Sequence, residues 1–236
     1  MIATPRRHLR PTIVARPIIV VAIPARDEAE RIAACLEALD RQTILPDAVV
    51  LLANNCTDDT VAVARGLSPR YALDAIAVDL PPQEAGAGHA RRLAMQHAAE
   101  RAGEGGILLT TDADGTVPPD WIQRNLAALV AGADLVCGQS LVEAVEAKFI
   151  PQHLHDDDVL ERRLAALIDQ MAWIIDPDPA DPLPRHQEDA GASLGVWVSA
   201  WRRGAASRWL PPARTAASSP RCAGSMLGFV MIPISS

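Results

Sequence analysis

The chain lacks any run of about 20 apolar residues, the length a membrane-spanning helix needs; the longest apolar stretch near its end, Leu227 to Ile234, is far shorter. Any membrane contact is therefore expected to be peripheral. The basic opening segment lacks the continuous apolar stretch of a secretion signal, so residues 1–16 read as a disordered lead-in. No C-x-x-C pair occurs among the four cysteines, Cys35, Cys56, Cys137 and Cys222. The spacing thus implies neither a zinc site nor a disulfide framework, and reduced thiols in a cytoplasmic protein are expected. Basic residues are not in excess: 22 Lys and Arg stand against 29 Asp and Glu, for a net charge of −7. That balance argues against a general nucleic-acid binder. No internal repeat is visible.

What the chain does have is 236 residues, 49% of them hydrophobic, enough for an α/β domain with a substantial core. Ile18 to Ile23 and Ala48 to Ala53 are apolar runs without alternation, the pattern of strands buried on both faces. Leu73 to Val78, Ile107 to Thr111 and Ala133 to Cys137 read as three further strands. Between them fall helical patterns: Glu28 to Asp40 with Asp27 as its cap, Thr60 to Leu67 behind Thr57 or Asp58, Gly86 to about Arg101, and a segment opened by Pro118 and Pro119. A long helix is expected over Asp156 to Asp176, with Leu160, Leu164, Leu167, Ile168, Met171 and Ile175 on one stripe. Regular alternation of strand and helix predicts a doubly wound, mostly parallel sheet.

In such sheets ligands bind beyond the carboxyl ends of the strands. Three polar segments fall there: Pro24-Ala25-Arg26-Asp27-Glu28, Asn54-Asn55-Cys56-Thr57-Asp58, and Asp112-Ala113-Asp114. The last places two carboxylates on one turn after a buried strand. Hard divalent cations take oxygen ligands of this kind while leaving room for phosphate oxygens.

Five motifs in order then give the chain a specific resemblance. They are Pro24 to Glu28, Asn54 to Thr60, Gly86 to Arg92, Asp112 to Trp121 (D-A-D followed by P-x-W), and Gly191-Ala192-Ser193-Leu194. Together they resemble the family 2 glycosyltransferases of the GT-A fold. The resemblance implies a Rossmann-like sheet with helices on both faces, a nucleotide diphosphate sugar donor and a Mg²⁺ or Mn²⁺ ion. It also implies roles. Pro24, Ala25, Arg26 and Asp27 would line the nucleobase pocket, with Glu28 supporting that loop. Arg91 would contact the nucleotide or its phosphates. Asp112 would meet the ribose or sugar side, and Asp114, with Asp112, the metal. Where the family often carries an Asp pair this chain has Ala53 and Asn54; Asn54 offers both a donor and an acceptor to a base edge.

The implied organisation is a nucleotide-sugar-binding domain over 17–140, a partial acceptor-side region over 141–203 and an atypical tail over 204–236. The implied activity is inverting sugar transfer to an acceptor hydroxyl. A nucleotidyltransferase would normally show a glycine-rich phosphate loop after the first strand, and Pro24 to Glu28 contains no glycine. A vestigial binding domain is the other alternative, because no Asp, Glu or His follows Asp189 and the family's base lies after the G-x-S-L motif. Glu188 and Asp189 precede that motif and are weak base candidates. The stretch after Arg203 is rich in Arg, Ala, Ser and Pro, as disordered tails are. Read with GC-rich codons in a frame displaced by two bases, it acquires an acidic residue and a run similar to the family's continuation. His153, His155 and Asp156 to Asp158 read as an acidic helix start complementing the dipole. His186 reads as a loop residue, and Trp173 and Trp197 as packing residues.

Overall fold

A computed structural model describes residues 16–138, 146–177, 183 and 192–206. Strands β1 (Ile19–Ala25), β2 (Ala48–Asn54), β3 (Ala72–Val78), β4 (Ile107–Thr111), β5 (Leu135–Cys137) and β6 (Ser193–Trp197) alternate with helices α1 (Ile32–Asp40), α2 (Thr60–Gly66), α3 (Ala87–Ala102), α4 (Trp121–Ala131), α5 (Gln152–Ile175) and α6 (Val198–Ala206). The strands form one sheet in the order β3-β2-β1-β4-β6-β5. β1 pairs in parallel with both β2 and β4, and β2 with β3. This is the expected doubly wound, Rossmann-like α/β sheet.

Every residue of β2 and β4 is buried, which is why these segments are apolar without alternation. Side chains alternate between two cores. Ile19, Val21, Ile23, Val49, Leu51, Ile107 and Leu109 face α1 and α4. Val20, Ala22, Val50, Leu52 and Leu108 face α3, whose Ala90, Ala94, Ala98 and Ala102 let the helix lie close to the strands. Helices therefore cover both faces.

β6 is the strand the sequence reading did not anticipate. It inserts between β4 and β5 and runs antiparallel to both. Two contacts fix it. Trp121, fully buried, donates its indole N–H to Ser193 Oγ at 2.9 Å. Gly195 lies so close to α4 that a Cβ there would meet Asn125 Oδ1 at 2.5 Å and Leu109 Cδ2 at 3.0 Å, so a larger residue would push the helix away.

Two helix starts differ from expectation. α1 begins at Ile32 rather than Glu28, and its first turn receives no side-chain cap; the carboxylate of Asp27 is engaged elsewhere. α5 begins at Gln152, behind Pro151, so Asp156, Asp157 and Asp158 lie beyond its first turn and do not meet the N-terminal dipole. Instead Gln152 donates to Asp156, and Arg162 to Asp158. The apolar stripe of α5 is present, but no residue of the helix is buried: Leu160, Leu164, Leu167, Ile168, Met171 and Ile175 all face solvent.

Leu109→Ala should therefore cost about 2–5 kcal/mol in urea unfolding, as burial in a packed core implies. Leu164→Ala, on the open face of α5, should change stability by no more than about 0.5 kcal/mol. Comparable losses from the two variants would contradict this division of the core.

Candidate active site

Because β1, β2 and β4 are adjacent and parallel, their carboxyl ends emerge on one side of the sheet. Ala25 pairs with Ala53, and Ala22 with Thr110. The loop after β1, the end of β2 and the turn after β4 therefore share one edge.

The loop after β1 is stapled to the loop after β2. The Glu28 amide donates to Thr60 Oγ1 at 2.8 Å and the Ala29 amide to Asp58 Oδ2 at 2.9 Å. In return, Asp27 Oδ1 accepts from the Thr57 amide at 2.6 Å and from Thr57 Oγ1 at 3.1 Å. Asp27 adopts φ +56° and Asn55 φ +51°, a left-handed conformation that Asp and Asn tolerate better than most residues. This geometry turns Asp27 toward Thr57 and away from α1, which explains its failure to cap that helix. Thr60 is fully buried, and its hydroxyl donates on to Asp58 Oδ1. Those bonds to Thr60 and Ala29 hold the Asp58 carboxyl below its ordinary range. Cys56 adds to the staple, its Sγ accepting from the Asp27 amide at 3.4 Å; the motifs alone give no sign that Thr60 and Cys56 fix this loop. Asn54, buried at the end of β2, donates Nδ2 to Ala85 O at 3.2 Å, which leaves its buried Oδ1 without a hydrogen-bond partner.

The acidic turn is read by two arginines of different character. Arg91, from the first turns of α3, donates Nη2 to Asp112 and Nη1 to Thr110 Oγ1 at 3.1 Å. Arg91 is thus a fixed anchor for Asp112, whose carbonyl also accepts from Cys35 Sγ at 3.4 Å. Arg31, just before α1, places Nη1 3.9 Å from both Glu28 Oε2 and Asp114 Oδ2. The Asp114 side chain keeps 50% exposure. Glu28 is raised from its usual 4.5, first by partial burial and then by the negative charges of Asp114, Asp58 and Asp112; Arg31 opposes them. The same acidic surroundings, added to full burial, push the Cys35 thiol up to about 12. The edge therefore carries a concentrated negative potential built from hard oxygen donors, the donor set that suits Mg²⁺ or Mn²⁺.

Other groupings are less suited to chemistry. Asp27, Cys56 and Asp58 bring one ligand atom each within 4.8 Å of one another, but both carboxylates already accept backbone N–H groups. A cleft along β3 contains Arg65, Asp74 and His97, yet Arg65 donates to Ala75 O and Asp74 pairs with Arg101. Its polar groups are thus largely committed. Trp197 packs against the core on the α1 and α4 side. Glu188, Asp189 and His186 lie outside the described residues.

The family model for glycosyl transferase family 2 matches residues 20–181. The chain belongs to this family. Glycosyltransferase AglE of Haloferax volcanii is 30% identical over 125 residues, which cover 52% of this chain and 39% of that protein. The family 2 chain therefore spans less than half the length of that relative. Among solved structures, the mannosyltransferase PcManGT of Pyrobaculum calidifontis, in complex with GDP-Man and Mn²⁺, is 27% identical. It covers 54% of this chain and 37% of its own at a TM-score of 0.44. The glucosyl-3-phosphoglycerate synthase of M. tuberculosis is 20% identical and covers 77% of this chain and 57% of its own, with a TM-score of 0.43.

Two predictions follow from the geometry of this edge. Thr60→Val keeps the branched shape but removes the acceptor for the Glu28 amide. It should cost about 1–3 kcal/mol in denaturant unfolding and speed hydrogen exchange at that amide; unchanged exchange would remove Thr60 from the staple. The second prediction concerns pH. A carboxyl raised in the folded state favours folding below its unfolded value of 4.5, and that contribution is lost as pH rises through the higher folded value. Glu28→Gln should accordingly raise the melting temperature at pH 7 relative to wild type. The advantage should vanish near pH 4, where both side chains are neutral.

Proposed function

We propose that the acidic edge is the donor site of a glycosyltransferase that moves a sugar from a nucleotide diphosphate sugar to an acceptor hydroxyl with inversion. The observation that carries this reading is the division of labour on the turn after β4. Arg91 ties down Asp112 through a direct hydrogen bond, while Asp114 stays half exposed within a group of carboxylates. Family membership supports the same chemistry. The divalent ion, Mg²⁺ or Mn²⁺, would neutralise charge that develops on the diphosphate leaving group.

In this reading the chain's own residues bind and orient. Asp114, with Asp112 beside it, holds the cation. Pro24, Ala25, Arg26 and Asp27 line the base through a loop whose shape the Thr57, Asp58 and Thr60 bonds impose. Glu28 supports that loop, and Asn54 reads a base edge once the segment around Ala85, which now covers it, moves aside. Arg91 supplies positive charge toward the nucleotide from the mouth of α3. The donor-binding unit is 17–140, and 141–203 contributes to the acceptor side. Glu188 and Asp189, beside the G-x-S-L motif, are the base candidates. A general base contributes about 10²–10⁴-fold, so replacing the residue that fills this role should slow transfer by that order.

Calorimetry with UDP- and GDP-sugars tests the site. Mn²⁺ should strengthen nucleotide binding to wild type, and Asp114→Asn should weaken that Mn²⁺-dependent binding by about 10–100-fold or more, since loss of even a supporting group at a metal site costs that much. Equal affinity with and without Mn²⁺ in both proteins would refute it.

A further inference from the structure

We propose that Arg31 is the exchangeable counter-ion of the acidic edge: its guanidinium offsets Glu28 and Asp114 in the metal-free protein and thereby sets how tightly Asp114 takes a divalent cation. The proposal rests on the donor-site reading above. Two arginines serve this edge, and only one is fixed. Arg91 makes directional hydrogen bonds to Asp112 and Thr110, and its side chain is only 19% exposed. Arg31 stands 3.9 Å from each of its two carboxylate oxygens, beyond normal hydrogen-bond length, and its side chain is 56% exposed. Its attraction is therefore Coulombic and can be given up without breaking a hydrogen bond.

The backbone beneath Arg31 is nevertheless held. The next residue, Ile32, is fully buried, and the Arg31 amide donates to Glu28 O at 3.0 Å. A long side chain on a fixed base can swing from Asp114 when a cation arrives and turn its charge toward a phosphate. Its cost to the metal follows from charge alone. A unit positive charge about 6–12 Å from a divalent ion in a water-rich site, the range of a side chain swung back from Asp114, weakens binding by about three- to tenfold at low salt, and the penalty shrinks as the Debye length contracts.

The test is Mn²⁺ binding to the full chain without nucleotide, read from the EPR signal of free Mn²⁺. Arg31→Gln should tighten Mn²⁺ by about three- to tenfold at low ionic strength, with a smaller gain at about 0.5 M salt. Arg31→Lys should return affinity to the wild-type value. Arg41→Gln should leave it unchanged, because Arg41 pairs with Glu37 at 3.4 Å, at the far end of α1. If Asp114→Asn weakens Mn²⁺ binding while Arg31→Gln leaves it equal or weaker, the role of Arg31 is overturned and the metal site stands. If wild type and Asp114→Asn bind Mn²⁺ alike, the donor-site reading itself fails and takes the proposal with it.

Discussion

Parallel strands deliver their carboxyl ends to one edge of a sheet, and in this chain that edge receives Glu28, Asp58, Asp112 and Asp114. Charges of one sign placed this close repel, and the Glu28 carboxyl, raised first by partial burial, is raised further by that repulsion. Positive charge must come from somewhere for the edge to hold its shape. Arg91 supplies part of it as a hydrogen-bonded anchor, buried enough to act as structure. Arg31 supplies part of it loosely, through distance-dependent attraction alone. What remains unbalanced is a set of carboxylate oxygens of the kind hard cations take. In the proposed donor site, affinity for a metal and stability of the metal-free edge would thus oppose each other, since each carboxylate that improves the first weakens the second.

Shape at this edge comes from hydrogen bonds rather than from packing. The loop after β1 contains no regular structure before α1, yet its amides at Glu28 and Ala29 and the Asp27 carboxylate all bond to the loop after β2. A loop held in this way is preorganised, and a ligand that binds it does not have to order it. The buried Thr60 hydroxyl is central, accepting from one loop and donating within the other. Asp58, which a sequence reading takes for a helix cap, serves both purposes: Oδ1 accepts from the Thr60 amide and Oδ2 from Ala29.

Much of this was legible from residues alone. Continuous apolar runs marked β1, β2 and β4 because those strands are buried on both faces, and the alternation with helices gave the sheet class. The D-A-D turn was placed at the strand ends by the same logic. β6 was not legible. Its five residues become a strand through antiparallel pairing with β4 and β5, partners far away in sequence, and Gly195 is explained only by the approach of α4. The start of α1 was misplaced because a capping residue was diverted by a positive φ and a tertiary hydrogen bond. α5 showed its apolar stripe plainly, but periodicity carries no information on whether a face is covered. Which arginine serves which carboxylate was equally hidden, since Arg91 reaches Asp112 and Arg31 reaches Asp114 only after the strands are aligned.

We propose that a divalent cation enters at Asp114, beside an Asp112 held by Arg91. Anomalous diffraction from crystals soaked with Mn²⁺ and a nucleoside diphosphate locates that ion directly. One strong peak is expected at ligand distance from the Asp114 carboxylate, with a diphosphate oxygen on its other side. A peak at the Asp27, Cys56 and Asp58 group instead, with none at Asp114, would contradict it.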